Sequence, residues 1–239
     1  MAPYFPIFAG GGVSWYPTNI VGSVIGYDAA LGITMDGSNR VSQWDDISAA
    51  AANHLTQATD AKKLVWTAAR VNGLPTLIAD GADDCMLTAA FTWNQPECIY
   101  LVMNMISFTD VDYILDGVAI YKMVFYQNAP SPGMALYTDT FYVSGCRNTD
   151  LAVGSFGIVR VVFNGASSEI RVNNNVATTG DPGTGSAGGF TLAAAGLAGG
   201  VNSQWINAEY AMIWGYNVVP TTAEDTAMMT YLNTKFAIY

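Results

Sequence analysis

Closely spaced turn signals are the feature that most constrains the fold of this chain. From residue 27 onward, dipeptides containing Gly or Pro interrupt the sequence roughly every ten residues. They are Asp36-Gly37, Asn72-Gly73, Asp80-Gly81, Asp116-Gly117, Pro132-Gly133, Asn164-Gly165 and Asp181-Pro182-Gly183. Such spacing leaves room for short strands rather than long helices, so it predicts an all-β domain.

The segments between the turns are rich in β-branched and aromatic residues, which favour strands. The predicted strands cover residues 98–106, 118–126, 141–144, 157–163, 169–172 and 208–214, with a short one at 190–194. Asn164-Gly165 predicts a hairpin in which residues 159, 161 and 163 share one face. Nearly continuous hydrophobicity in several segments indicates strands buried on both faces, as in stacked sheets.

One helix is predicted at the end of the chain. Thr222 and Asp225 fit a cap, acidic residues fall in the first turn, and Lys235 falls in the last. Met228, Tyr231 and Leu232 have the spacing of one helical face. We therefore expect this face to pack on the sheets.

Residues 1–26 carry no charge and are rich in Pro, Gly and aromatic residues. This composition predicts an N-terminal arm, followed by one domain over residues 27–239. Two alternatives remain open, because the aromatic residues of such an arm pack either on their own domain or on a neighbouring subunit. The residues assigned to an assembly arm are Tyr4, Phe5, Phe8, Trp15 and Tyr16.

The charge of the chain limits its partners. Only 12% of the residues are charged, about half of the roughly 25% typical of soluble domains, which favours burial against neighbouring subunits. The net charge of −10 and the scattered cations argue against nucleic-acid binding. We expect no membrane span, no signal peptide and buried free thiols at three cysteines, with a Cys85–Cys98 disulfide as the alternative.

Four segments resemble concanavalin A-like or laminin-G-like domains of the kind found in phage virion and bacterial surface proteins. They are Tyr27-Asp28-Ala29 with residues 41–48, then residues 53–58, then residues 72–84, and finally residues 170–173 with Ala208-Glu209-Tyr210 and the terminal helix. The resemblance implies a concanavalin A-like jelly-roll sandwich of two antiparallel sheets with one C-terminal helix. It implies a fold and not a function.

Catalytic patterns are sparse in the sequence. Glycosidases need two carboxylates facing each other across the scissile bond, yet the four glutamates are isolated and no alternating acidic pattern occurs. His54 is the only histidine, and no G-x-S-x-G motif is present. We therefore expect the chain not to be an enzyme.

Asp80, Asp83 and Asp84 offer three carboxylates within five residues. One interpretation is a turn in which an Asp carboxylate accepts hydrogen bonds from backbone N–H groups. The alternative is that the three carboxylates bind calcium. No other cofactor is expected. Asp110, Asp112 and Asp116 are predicted to be solvated turn residues.

Carbohydrate binding commonly uses exposed aromatic rings beside polar loop residues. The candidate platforms are Trp93, Tyr137, Tyr142 and Trp205, all close to asparagines in the sequence. The alternatives for these rings are core packing and protein interfaces, where Trp and Tyr are also common.

Three functions follow as expectations. The first is a non-enzymatic virion structural or capsid decoration protein, held among other virion subunits or copies of itself as a homo-oligomer. The second is a carbohydrate- or receptor-binding module that binds a host-surface glycan, on a phage tail or fibre or on a bacterial cell surface. The third, a glycan-cleaving enzyme, lacks a visible carboxylate pair.

Overall fold

The computed structural model describes residues 15–139, 146–196 and 203–239. Two antiparallel sheets stack into a sandwich, and one helix follows the last strand. The predicted fold class is therefore confirmed. No helix among the described residues has the length and apolar character needed to cross a membrane.

The first sheet has eight strands in the order β15-β14-β13-β8-β17-β6-β5, with β1 also paired to β17. Its strands are β1 (Ser23–Asp28), β5 (Val65–Val71), β6 (Leu74–Asp80), β8 (Glu97–Met105), β13 (Phe156–Phe163), β14 (Ser168–Val172), β15 (Thr178–Gly180) and β17 (Asn207–Tyr216). We call this sheet A.

The second sheet has nine strands in the order β12-β11-β10-β9-β16-β7-β4-β3-β2. Its strands are β2 (Ile33–Met35), β3 (Val41–Trp44), β4 (Leu55–Thr56), β7 (Met86–Leu87), β9 (Tyr113–Asp116), β10 (Val124–Gln127), β11 (Met134–Tyr137), β12 (Arg147–Asn148) and β16 (Thr191–Leu192). We call this sheet B.

Two layers of apolar side chains explain the long hydrophobic segments. Every residue of β8 is buried, because Ile99 and Leu101 point into the core between the sheets while Tyr100 and Val102 point to the outer face of sheet A. The hairpin at Asn164-Gly165 forms as predicted, and its β13 residues divide between the same two layers.

The helix α1 (Thr222–Phe236) covers the outer face of sheet A. Its buried residues Met228, Leu232 and Phe236 confirm the predicted apolar face. The predicted cap is wrong by one residue: Thr221 is the cap, and Glu224 completes a capping box with it. Two adjacent threonines compete for this position, and only Thr221 has the extended backbone of a capping residue.

The described part of the N-terminal arm packs on its own domain. The rings of Trp15 and Tyr231 lie 5.8 Å apart, and those of Tyr16 and Trp214 lie 5.7 Å apart. The predicted boundary after residue 26 falls within β1, so residues 23–26 belong to sheet A. Tyr4, Phe5 and Phe8 lie outside the described residues.

The cysteines of the chain are buried. Cys85 and Cys98 are free thiols, which excludes the alternative Cys85–Cys98 disulfide in this structure, and Cys146 is also buried. Burial raises the pKa of the Cys85 and Cys98 thiols to about 11. Both side chains therefore pack as small apolar groups at neutral pH.

Candidate functional site

The four residues predicted as carbohydrate platforms differ in where they lie in the structure. Trp93 is only 1% exposed, and its ring stacks on Phe91 at 5.9 Å within the core. It fits there because β17 has Gly215 at this point, where an added Cβ would lie 2.7 Å from the Trp93 ring. The prediction that Trp93 is an exposed platform is therefore wrong. Tyr142 lies outside the described residues.

Tyr137 belongs to a cluster of tyrosines on the outer face of sheet B. Tyr137 on β11 and Tyr126 on β10 have ring centroids 5.2 Å apart in an edge-to-face arrangement. Tyr113 on β9 and Tyr121 from the following loop lie 6.1 and 5.8 Å from Tyr137. Alternation along the strands places these rings outward, while Ile114, Phe125 and Leu136 point into the core.

Exposure differs within this cluster. Tyr137 is only 2% exposed, and Tyr113 is fully buried. Tyr121 and Tyr126 remain partly exposed. The prediction that Tyr137 is a surface platform is therefore wrong. Tyr137 is a buried ring that packs against Tyr121 and Tyr126, and these two rings are the accessible ones.

Trp205 lies beside the cluster and is partly exposed, as a platform requires. Its backbone forms a bridge with Tyr113. The Trp205 indole Nε1 and the Tyr113 hydroxyl are both buried and have no hydrogen-bond partner among the described residues. Buried polar groups are rarely left unpaired, so two of them on residues with bridged backbones are an unusual feature. We name Tyr113, Tyr121, Tyr126, Tyr137 and Trp205 the tyrosine face.

A buried aspartate shapes the loop that carries Tyr121. Asp116 is completely buried and accepts five backbone N–H groups, including those of Tyr121 and Met123 at 3.0 and 3.2 Å. The prediction that Asp116 is a solvated turn residue is therefore wrong. The same contacts fold residues 118–123 into a loop, so the predicted strand 118–126 is shortened to β10.

Polar side chains border the tyrosine face. The Asn128 side-chain amide donates to the Tyr126 hydroxyl at 3.2 Å, and Arg147 Nε donates to Asn128 Oδ1 at 3.0 Å. Asp112 is half-buried, and desolvation raises its pKa to about 6. The partly exposed Tyr126 ring thus lies next to an amide group that exchanges hydrogen bonds.

The predicted acidic cluster does come together. The carboxylate oxygens of Asp80, Asp83 and Asp84 lie within 4.8 Å of one another. Asp80 Oδ1 accepts the N–H of Ala82 at 2.8 Å, which is the predicted turn contact. Burial and the nearby Asp80 charge raise the pKa of Asp84 to about 7. Carboxylate oxygens suit calcium, and calcium binding stays a prediction.

All four glutamates make contacts that stabilise the fold. Glu97 accepts the N–H of Ala187 at 2.8 Å, and Arg70 binds Glu209 through two hydrogen bonds of 2.7 and 3.1 Å. Glu169 pairs with Arg160, and Glu224 caps α1. A hydrolytic pair made from two glutamates would require these contacts to rearrange.

Comparisons with known proteins find similarity in structure and not in sequence. No protein family model and no curated protein matches the chain. A Trypanosoma rangeli sialidase solved in complex with sialic acid has TM-score 0.62 and 10% identity, over 98% of this chain and 35% of that one. A GH54 α-L-arabinofuranosidase has TM-score 0.59 and 13% identity, over 82% of this chain and 51% of that one.

Domain 4 of AbnA, a GH43 extracellular arabinanase from Geobacillus stearothermophilus, was solved in complex with arabinotriose. It has TM-score 0.54 and 10% identity, over 73% of this chain and 82% of that one. This chain thus spans about a third of the sialidase chain and about half of the arabinofuranosidase chain. At such low identity the likeness shows the fold alone.

The prediction that this chain is not an enzyme is contradicted by these comparisons. The sialidase and the arabinofuranosidase are both glycoside hydrolases. The prediction relied on acidic pairs visible along the sequence, and such a pattern misses carboxylates that distant strands bring together. The non-enzymatic assignment is therefore dropped. The predicted virion and phage setting has no counterpart among these structures and stays a prediction.

Proposed function

We propose that this chain is a carbohydrate-binding domain that binds neutral glycans at the tyrosine face. The observation that carries the proposal is the packing of four tyrosines on the outer face of sheet B, with Trp205 joined to Tyr113 by a backbone bridge. Ligand sites combine apolar and aromatic surface with a few polar groups that fix orientation. Tyr121, Tyr126 and Trp205 supply the partly exposed rings.

The arrangement suits the amphipathic surface of a sugar ring. The C–H face of a sugar packs on an aromatic ring, while its hydroxyl groups exchange hydrogen bonds with polar neighbours such as Asn128 and the Tyr126 hydroxyl. Tyr137 contacts the Tyr126 ring edge to face, and tilted contacts join Tyr113 to Tyr126 and Tyr137 to Tyr121. The rings are therefore ordered before binding, which lowers the entropy cost of forming the complex.

Charge narrows the class of glycan. The chain has a formal net charge of −10, so its overall field repels anionic sugars. Neutral pentose and hexose oligosaccharides are free of this repulsion. The likeness to an arabinanase domain solved with arabinotriose supports a carbohydrate-related role for the fold and supplies a neutral probe.

Calorimetric titration of arabinotriose and xylobiose into the full chain and into two Tyr126 variants tests the proposal. Tyr126→Ala removes the ring and should weaken binding about tenfold, which corresponds to about 1.4 kcal/mol. Tyr126→Phe keeps the ring and is the matched control, so it should bind within about threefold of the unmodified chain. Equal binding by the Ala variant, or no binding of either glycan to the unmodified chain, overturns the proposal.

This proposal includes the glycan-binding part of the function predicted from the sequence. Attachment to a host-surface glycan, on a virion or on a bacterial surface, would use the same face. The location of the chain and its assembly with other subunits stay predictions.

A further inference from the structure

A groove of about 310 Å³ lies between α1 and the end of β14. One wall is the helix, with Asp225 and Thr230, and the other is the end of β14 and the turn after it, with Arg171, Asn174 and Asn175. Because α1 covers sheet A, this helix groove and the tyrosine face lie on opposite sides of the sandwich. Its volume is at the lower end of those that hold small ligands.

The two charged side chains that line the helix groove, Arg171 and Asp225, compensate each other. Arg171 Nη2 donates to both oxygens of Asp225, at 2.7 and 2.8 Å. The groups left for a ligand are therefore amides and hydroxyls, since three asparagines and three threonines line the groove. Asn174, Asn175 and Thr230 are exposed and available as donors and acceptors.

Contacts beneath the helix groove hold its walls in place. Asp225 also accepts the Tyr100 hydroxyl at 2.8 Å, which anchors the start of α1 to sheet A. At the other end, Asn233 Oδ1 accepts the N–H groups of Ile238 and Tyr239 at 2.9 Å each. Tyr239 is 46% exposed and lines the groove, so the groove includes one accessible aromatic ring.

The Arg171 guanidinium is incompletely satisfied. Its Nε is buried and has no hydrogen-bond partner among the described residues. A buried donor left unpaired is uncommon in folded proteins and needs a specific explanation. The groove thus combines a formed concave surface with a neutral polar lining, and one of its lining residues has an unsatisfied donor.

We propose that the helix groove is a second binding site, which takes a small, neutral, polyhydroxylated ligand of one or two sugar units. Neutrality follows from the closed Arg171–Asp225 pair, and the hydroxyl-rich class follows from the amide and threonine lining. The size follows from the volume of the groove. The site shares no residue with the tyrosine face, so this inference is independent of the function proposed above.

Backbone amide NMR of the full chain, titrated separately with arabinose, xylose and glucose, tests the inference. At least one sugar should shift signals of residues 171–175 and 226–234 together. Thr230→Trp fills the groove and should abolish these shifts. Thr34→Trp adds the same side chain at an exposed threonine of β2 in sheet B, away from the groove, so it should leave them unchanged.

Thermal melting of both tryptophan variants checks that each is folded. In Tyr126→Ala the groove shifts should persist, which separates this site from the tyrosine face. The inference is overturned if none of the three sugars shifts the groove signals of the unmodified chain. It is equally overturned if the folded Thr230→Trp variant responds as the unmodified chain does.

Discussion

The outer faces of the two sheets are covered in different ways. Sheet A is closed by α1, whose apolar residues and buried ion pairs leave little of the sheet accessible. Sheet B has instead a layer of tyrosines, two of them partly exposed. Apolar contacts and ion pairs of α1 stabilise the first face, whereas the second face is covered by aromatic side chains that include an unpaired hydroxyl and an unpaired indole group.

The largest loss of stability should come from removing the Asp225 carboxylate, which joins α1 to sheet A. Asp225→Ala leaves Arg160 and Arg171 without this carboxylate, and breaking a buried pair in this way costs about 3–5 kcal/mol. Urea denaturation measures the loss. Lys122→Ala breaks an ion pair with Asp139 in which each side chain is 44% exposed, and it is the control, with little change expected. Equal losses would contradict the account of the helix-covered face.

Glu97 extends the comparison to a buried acid that has no cationic partner among the described residues. Burial raises its pKa from 4.5 to about 8. The unfolded chain ionises at lower pH than the folded one, so this group's destabilising effect grows from about pH 4.5 to about pH 8. The free energy of unfolding of Glu97→Gln should therefore equal that of the unmodified chain near pH 4. At pH 9 it should be larger by a few kcal/mol.

The unfolding free energies of both proteins across this pH range test the prediction. A constant difference between Glu97→Gln and the unmodified chain at all pH values would show that ionisation of Glu97 has no part in stability. A larger stability of the variant at low pH would contradict the sign of the effect.

The smallest expected change in the free energy of unfolding concerns two buried tyrosine hydroxyls. The Tyr210 hydroxyl donates to the carbonyl of Ile114 at 3.1 Å, whereas the Tyr113 hydroxyl has no partner among the described residues. Tyr210→Phe removes a hydrogen bond and should lower the free energy of unfolding by about 1 kcal/mol. Tyr113→Phe removes an unpaired hydroxyl and should leave the stability unchanged or raise it. Thermal unfolding compares the two variants. If Tyr113→Phe costs as much as Tyr210→Phe, its hydroxyl is satisfied and the tyrosine face is less unusual than described.

Local signals in the sequence predicted much of the fold. The Asn164-Gly165 hairpin and the apolar face of α1 each depend on residues close together in the chain, so their patterns could be recognised directly. The tyrosine face could not be recognised in this way. It brings together residues from three strands and two loops, and the sequence spacing of Tyr113 and Trp205 gives no indication that they meet.

The wrong predictions for Trp93 and Asp116 have physical causes of the same kind. Trp93 is buried because a glycine on a distant strand leaves space for its ring. Asp116 is buried because five backbone N–H groups surround its carboxylate. Both depend on contacts between segments far apart in the sequence, which composition and periodicity do not reveal.

The most direct test of the tyrosine face is the tryptophan indole N–H spectrum of the chain during titration with arabinotriose. Trp205 Nε1 has no partner among the described residues, whereas Trp93 Nε1 donates to the carbonyl of Tyr216 at 3.3 Å inside the core. We predict that the Trp205 signal shifts with added glycan while the Trp93 signal stays fixed. An unchanged Trp205 signal, or shifts confined to other regions, would contradict the account.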